Sequence, residues 1–220
     1  MPYCGREMGC KDMNKKSTIK IKDNKVGMIG YGMLSSLESL EEVLGRKYED
    51  CIYHVHLNGF QRAWNCVGAN NDPNLPAEYL KYNSFYIKDN NTIPYQKSIF
   101  LNIIENKEIQ LNCTLYFVTL EELAIFDDFE IGYMRVDVTD RVVEYEFEDG
   151  QVYSYKALPA YEFNPEKKSK KSIIDKAYMD LVHAAYNSLG SDYRNEFDRS
   201  TIPHDPNLVA RVIHKKVRDN

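Results

Sequence analysis

The chain has 220 residues, enough for one domain with an appendage, and its formal net charge of -5 gives a nucleic-acid partner no electrostatic support. Its hydrophobic fraction of 43% is ordinary for a globular protein, and no apolar run is long enough to span a bilayer. The first residues lack the apolar core of a signal peptide, and five cysteines at irregular spacings favour free thiols. We therefore expect a cytoplasmic protein.

The first 20 residues are polar and lysine-rich without periodicity, which predicts a mobile arm. Cys4 and Cys10 lie close together in this arm, but no second Cys/His pair at zinc spacing follows. The expectation is an exposed thiol pair rather than a metal site.

An apolar strand that runs into a glycine-punctuated turn is the most informative stretch. Val26–Ile29 leads into Gly30-Tyr31-Gly32, and Ser35 with Glu38 predicts a capping box for a helix that ends at Gly45. Such a strand-to-helix turn leaves backbone N–H groups unpaired and favours an anion. A tight turn that binds nothing is the alternative.

The next strand carries two histidines on one face. Alternation over residues 51–57 predicts the strand, and His54 and His56 share a side of it. Two histidines at this spacing can bind a metal, but no carboxylate or thiol nearby in the sequence completes a set, so surface histidines are the simpler interpretation. Residues 65–108 have turn composition, with a strand at 98–104, and a clear alternating strand follows over 109–117.

A second informative stretch predicts a helix with a carboxylate on its buried face. Thr119 and Glu122 form another capping box, and Leu123 and Phe126 define the core-facing stripe. If the helix runs far enough, Glu130 falls on the same stripe, seven residues after Leu123. An inward carboxylate without a partner is costly, so Glu130 is a candidate general base with a raised pKa.

A shorter helix is the alternative for Glu130. It would leave the carboxylate solvated or paired with Arg135 or Arg62, while Asp127 lies on an adjacent face.

The remainder of the chain predicts a hairpin and one long helix. Strands are expected over 134–138, 142–147 and 152–157, with an Asp-Gly turn between the last two. The charged run at 166–171 predicts a solvated linker. Ser172 then caps a helix that stops at Gly190. The stripe of that helix is Ile174, Tyr178, Leu181, Ala185 and Leu189. The proline-containing end predicts an irregular tail that wraps the surface or closes over the site.

Several separated motifs together resemble the gamma-glutamylcyclotransferase-like family. The resemblance spans about residues 26 to 190, and the motifs occur in the family's order. They are Tyr31-Gly32-Met33-Leu34 (family Tyr-Gly-Ser-Leu), Leu57-Asn58-Gly59-Phe60-Gln61-Arg62 (Gly-Phe-x-Arg), Phe126-Asp127-Asp128-Phe129-Glu130 (Leu-Asp-x-x-Glu), Val152-Tyr153-Ser154-Tyr155 (closing strands) and Tyr178-Met179-Asp180-Leu181 (C-terminal helix).

The resemblance implies an α+β fold, a small mixed β-barrel with flanking helices and a C-terminal helix. We expect a mobile arm at 1–20, the barrel domain at 21–163, and a C-terminal helix and tail at 164–220 packed on the same domain. The resemblance leaves the oligomeric state open, with a homodimer as one option.

The resemblance also implies a site and a reaction. The turn Tyr31, Gly32, Met33 and Leu34 would hold the carboxylate and carbonyl of a gamma-glutamyl group by backbone N–H. Glu130 would take a proton from the α-amine, which attacks its own γ-carbonyl to give 5-oxoproline and release an amine or amino acid. The expected partner is this small-molecule substrate, with no metal, organic cofactor, nucleic acid or membrane.

Three positions leave alternatives open. Met33 stands where the family has Ser, which is tolerable if only the backbone N–H is used. Tyr155 is a pocket residue or a core residue, and Arg62 pairs with Glu130 or a substrate carboxylate, or lies on the barrel surface. A non-catalytic binding or interaction module on the same fold is the second hypothesis, and a glutathione-specific enzyme is the third.

Overall fold

The structure, a computed structural model, describes residues 16–75, 77, 79–163 and 172–216. Two predictions lie outside these residues, namely the thiol pair of Cys4 and Cys10 and the solvated linker at 166–171. The predicted arm at 1–20 is described only from residue 16, and Ser17–Lys20 at its end forms a strand.

The described residues form one large mixed sheet and one separate strand pair, which β1 makes with β8. The strands are β1 (Ser17–Lys20), β2 (Lys25–Gly30), β3 (Tyr53–Ala69), β4 (Tyr82–Lys88), β5 (Asn91–Pro94), β6 (Lys97–Thr119), β7 (Tyr133–Asp137), β8 (Tyr145–Glu148), β9 (Val152–Ala157), β10 (Ser172–Asp175) and β11 (Val209–Lys216).

Strand β6 is the centre of the large sheet, whose order is β5-β4-β11-β10-β6-β2-β9-β7. One edge of β6 pairs antiparallel with β3. The other edge is shared by β2, which is antiparallel, and β10, which is parallel. The two strands predicted at 98–104 and 109–117 are thus one continuous strand of 23 residues, with no turn between them.

The α+β class and the mixture of parallel and antiparallel strands are as predicted. The outer edge of β3 meets the segment that follows β7, where the N–H of Val143 donates to the carbonyl of His56 at 3.0 Å. In the described residues, β3 is paired along its length only with β6, and its outer edge makes isolated bridges such as that between Leu57 and Val142.

Four α-helices are described, and three of them begin at a residue whose side chain accepts a hydrogen bond from a backbone N–H of the first turn. The helices are α1 (Leu37–Leu44), α2 (Leu120–Phe129), α3 (Lys176–Asn187) and α4 (Ser191–Arg199). The predicted capping box of Thr119 and Glu122 is confirmed, because each side chain accepts from the backbone N–H of the other. Gly45 ends α1 with a φ of 64°, as its αL role requires.

The C-terminal part differs from the predicted long helix. Ser172 belongs to β10, Asp175 caps α3, and Gly190, with a φ of 104°, separates α3 from α4. The predicted stripe is wrong at Leu181, whose exposed fraction is 54%. The tail predicted to be irregular forms β11, which pairs with β4.

Two hydrophobic clusters form the core, and the turn after β2 lies between them. The larger cluster includes Trp64, Leu115 and Val182, and it also contains Tyr31. The smaller cluster lies around α1 and α2 and contains Leu34. Burial of both flanking side chains fixes the turn on the body of the protein.

Candidate active site

The turn after β2 contains a short 3₁₀ helix that the sequence did not predict. This helix covers Met33–Ser35, so the N-cap of α1 is Ser36 rather than the predicted Ser35. Ser35 instead donates its hydroxyl proton to the carbonyl of Gly30 at 2.7 Å. Gly30 is required there, since a Cβ would lie 2.3 Å from the carbonyl oxygen of Leu34.

The backbone N–H groups of Gly32 and Met33 have no hydrogen-bond acceptor in the described part of the chain. Next to them lie Leu101 and the hydroxyl of Tyr178, which is 3.9 Å from the Cβ position that a side chain at Gly32 would have. Two unpaired donors can donate to an anion or a carbonyl oxygen.

Glu130 is the C-cap residue of α2. Its N–H donates to the carbonyl of Phe126 at 2.9 Å, while Leu123 and Phe126 are buried as predicted. The helix therefore carries Glu130 to the buried side of the element, although the residue keeps partial exposure. Burial of the carboxyl group raises its pKa to about 7.

The carboxylate of Glu130 makes no hydrogen bond or ion pair with any residue that the structure describes. The charge of Glu130 acts instead on nearby tyrosines. Burial, and after it the negative charge of Glu130, raise the pKa values of Tyr31 and Tyr178. Burial raises the pKa of Cys66 to about 12, and Glu130 adds to this shift. Tyr31 of the turn, Tyr178 and Cys66 thus all lie close enough to Glu130 for its charge to act on them.

Arg135, which the sequence offered as an ion-pair partner of Glu130, pairs with a different carboxylate. Arg135 pairs with Asp127 at 3.2 Å, and the hydroxyl of Tyr155 donates to the same carboxylate at 2.7 Å. Tyr155 is buried in the smaller cluster, so its ring packs in the core and its hydroxyl is engaged. Met33 is half-buried against the larger cluster.

Arg62 is fully buried and does not reach the site. The hypothesis of a barrel-surface arginine is wrong, because its exposed fraction is 0%. Its guanidinium donates to the backbone carbonyl of Tyr31 and to the side chains of Ser200 and Tyr186. It makes no ion pair with Glu130 and is bonded instead to the backbone of the turn, at the carbonyl of Tyr31.

The residues that sequence reasoning missed are the aromatic neighbours of Glu130. Tyr133 donates its hydroxyl proton to the carbonyl of Leu101 at 2.7 Å, and Tyr178 stands over Gly32. Tyr178 lies within a recognised motif and Tyr133 three residues after one, and the chain contains 17 tyrosines. No local signal in the sequence indicates that Cys66 joins this group.

The predicted surface histidines differ from each other. His54 is exposed and contacts the ring of Tyr193, whereas His56 lies between the carboxylates of Glu144 and Glu196. Among the described residues no group of three or more His, Cys, Asp or Glu side chains could hold a metal ion. No α-helix in the same residues is long and apolar enough to cross a bilayer.

Comparison with known proteins gives structural likeness without sequence likeness. No protein-family model and no curated protein matches the chain. A solved gamma-glutamyl cyclotransferase superimposes with a TM-score of 0.51 and 12% identity, covering 82% of this chain and 90% of that one. The chain has the gamma-glutamyl cyclotransferase fold. An uncharacterised protein from Homo sapiens gives a TM-score of 0.50 with 11% identity, covering 83% and 91%.

Proposed function

We propose that this protein is a cofactor-free gamma-glutamyl cyclotransferase that converts a gamma-glutamyl compound into 5-oxoproline. The observation that carries the proposal is the unpaired carboxylate of Glu130, with a pKa of about 7, among the residues that also border the Gly32 turn. A buried acid with no protein partner is a common feature of functional sites.

The amides of Gly32 and Met33 would hold the substrate. Their N–H groups would donate to its α-carboxylate and, as charge develops, to the oxygen of its γ-carbonyl. Because nucleophile and electrophile belong to one molecule, the main task of the site is to fold the substrate into attack geometry.

Glu130 would move the proton. As carboxylate it removes one proton from the substrate's α-ammonium, and the freed amine attacks the γ-carbonyl carbon. In the resulting tetrahedral centre the attacking nitrogen still carries two hydrogens and must lose one more to become the ring N–H of 5-oxoproline. The γ-amide nitrogen receives both protons, one after the other through Glu130, and departs as an ammonium, so the enzyme ends in its starting state. With a pKa of about 7, Glu130 is partly ionised at neutral pH and can both remove a proton and return it.

A second function has one specific observation in its favour. Met33 is half-buried and larger than the serine of the family motif that it replaces, so the site could bind a ligand without turning it over. This alternative is a non-catalytic binding module on the same fold. We also infer a cytoplasmic location from the free thiols of Cys66 and Cys113.

The test is an assay of 5-oxoproline after incubation with gamma-glutamyl dipeptides, gamma-glutamylamines and glutathione. We expect product from at least one class, and loss of that product in Glu130→Gln, which keeps the shape but cannot accept the proton. Asp128→Asn is the matched control, since Asp128 is an exposed carboxylate two residues away. A folded wild-type protein that forms no product from any compound would favour the binding module.

A further inference from the structure

Arg62 carries a buried positive charge for which the described residues supply no carboxylate. Nε donates to the carbonyl of Tyr31 at 2.7 Å, and Nη1 donates to the hydroxyl of Ser200 at 2.7 Å. Nη2 donates to the hydroxyl of Tyr186 at 2.7 Å and to the carbonyl of Asn112. Every partner is a neutral dipole, so the charge is satisfied by hydrogen bonds but not neutralised.

Two aromatic rings hold the guanidinium in place. Its central carbon lies 4.9 Å from the ring centroid of Tyr186 and 4.6 Å from that of Phe197. Such contacts stabilise the cation and fix the orientation of its plane, so that its N–H groups point at their acceptors. The orientation of Arg62 is therefore set by α3 and α4.

The hydrogen bond from Arg62 to the carbonyl of Tyr31 also fixes the direction of the Gly32 N–H. The carbonyl of Tyr31 and the N–H of Gly32 belong to one peptide group, and the described chain contains no cis peptide bond. In a trans peptide the C=O and N–H point in opposite directions. Since the carbonyl points at Arg62, the N–H of Gly32 points away from it, where no described acceptor is present.

We propose that Arg62 is a positioning residue, which orients and polarises the Tyr31–Gly32 peptide so that the Gly32 N–H binds a carboxylate. Donation from a cation to the carbonyl oxygen makes the N–H of the same peptide a stronger donor. The hydroxyl of Tyr186 reinforces it by donating to the same oxygen at 3.0 Å. The inference rests on the proposed function only for the identity of the anion.

A single NMR signal can report on this peptide. Tyr31-Gly32 is the only Tyr-Gly pair in the sequence, so labelling tyrosine with carbonyl ¹³C and glycine with ¹⁵N gives one correlated peak. Its carbonyl shift reports the bond from Arg62, and its amide shift reports the ligand. The probes are acetate and 5-oxoproline, neither of which requires turnover.

In wild-type protein we expect the amide to move downfield and saturate with either probe. In Arg62→Met we expect the Gly32 amide signal to lie upfield of the wild-type signal before any probe is added. We also expect the affinity for each probe to be at least about tenfold weaker, since hydrogen bonds to charged groups contribute roughly 1.5–3 kcal/mol. Arg62→Lys keeps the charge without the planar fork and should lie between the two. Arg194→Met is the matched control, because Arg194 lies 5.4 Å from the same Phe197 ring but is not bonded to the turn.

Kinetics separate positioning from a purely structural role. Arg62→Lys should raise KM, by less than Arg62→Met does, and leave the acidic limb of the pH profile in place, because Arg62 does not contact Glu130. The proposal is overturned if the wild-type peak stays still with both probes, or if a folded Arg62 variant binds them as wild type does. The wild-type titration decides the matter even if Arg62→Met fails to fold. A peak that moves in a protein that makes no 5-oxoproline would refute the proposed function while supporting the role of Arg62.

Discussion

Glu130 combines an energetic cost with the chemical property that the proposed reaction needs. Its carboxyl group is buried enough to raise the pKa to about 7, and the described residues give it no ion pair. The ionised carboxylate is less stable here than it would be in water, because burial removes its hydration. Active sites often retain such destabilising groups because their reactivity depends on them.

We predict that Glu130→Gln stabilises the protein at pH 8. Below the unfolded-state pKa of about 4.5 the carboxyl is protonated in both states, so it affects stability little. As pH rises from there to about 7 the unfolded chain loses the proton first, so the wild-type free energy of unfolding falls, by up to about 3 kcal/mol. Urea unfolding at pH 4 and pH 8 measures this difference.

The glutamine variant lacks that loss, so its advantage over wild type should grow between the two pH values. Asp128→Asn, at an exposed carboxylate, should show no comparable growth. An equal gap at both pH values would mean that Glu130 titrates normally.

Met33→Ser should raise the rate of 5-oxoproline formation or leave it unchanged. Serine restores the residue of the family motif, keeps the backbone N–H and removes a large half-buried side chain from the turn. Steady-state kinetics on the best substrate measure the effect. A large loss of kcat/KM would mean that the methionine itself shapes the site.

Local patterns determine the elements that the sequence predicts well, and intervening turns explain the errors. Thr119 and Glu122 lie three residues apart, so their capping box could be found by inspection. The cap of α1 was misplaced by one residue because the 3₁₀ turn at Met33–Ser35 precedes it. Pro203 and Pro206 suggested an irregular tail, yet they lie before β11 rather than within it.

Long-range contacts explain why the place of Arg62 could not be predicted. Its partners Tyr186 and Ser200 are 124 and 138 residues away along the chain. No local pattern marks such pairs. Glu130, in contrast, was predicted from helical spacing to two buried residues of its own helix.

His56 connects three elements and makes stability depend on pH. Its Nδ1 lies 2.5 Å from Glu144, before β8, and its Nε2 lies 2.8 Å from Glu196 on α4. The hydrogen bond to Glu144 is the main reason that its pKa is raised. A raised folded-state pKa stabilises the protein below the unfolded value of about 6.5, and this contribution is lost as pH rises through the folded-state value.

We therefore predict that His56→Gln destabilises the protein at pH 5.5 by about 1 kcal/mol more than at pH 9. Thermal or urea unfolding at both values measures it. His214→Gln, at an exposed histidine of β11, is the control. A cost in His56→Gln that does not change with pH would contradict an ionic link.

At the scale of the whole molecule, the C-terminal helices α3 and α4 pack on Arg62, which is bonded to the turn after β2. Phe197 of α4 is buried, lies 4.4 Å from the ring centroid of Tyr186, and packs on Arg62. The backbone N–H of Arg62 also donates to the carbonyl of Ser200 at 2.9 Å. The turn is thus stabilised by Arg62 of β3 together with residues of the C-terminal helices.

Phe197→Ala should destabilise the protein by about 3–5 kcal/mol, because it leaves a cavity and removes a ring from the buried cation. Ile202→Ala, at a residue that is 38% exposed, should cost much less. Chemical denaturation gives both values. Similar costs for the two variants would show that α4 contributes little to the core.

The dependence of 5-oxoproline formation on pH is the most direct test of Glu130 as the base. For the best gamma-glutamyl substrate, kcat/KM of the wild-type protein should rise with pH through a pKa of about 7, because the free enzyme is active only when Glu130 is ionised. Glu130→Gln should give no measurable turnover at any pH. Turnover by Glu130→Gln at the wild-type rate, with the same acidic limb, would contradict the proposed mechanism.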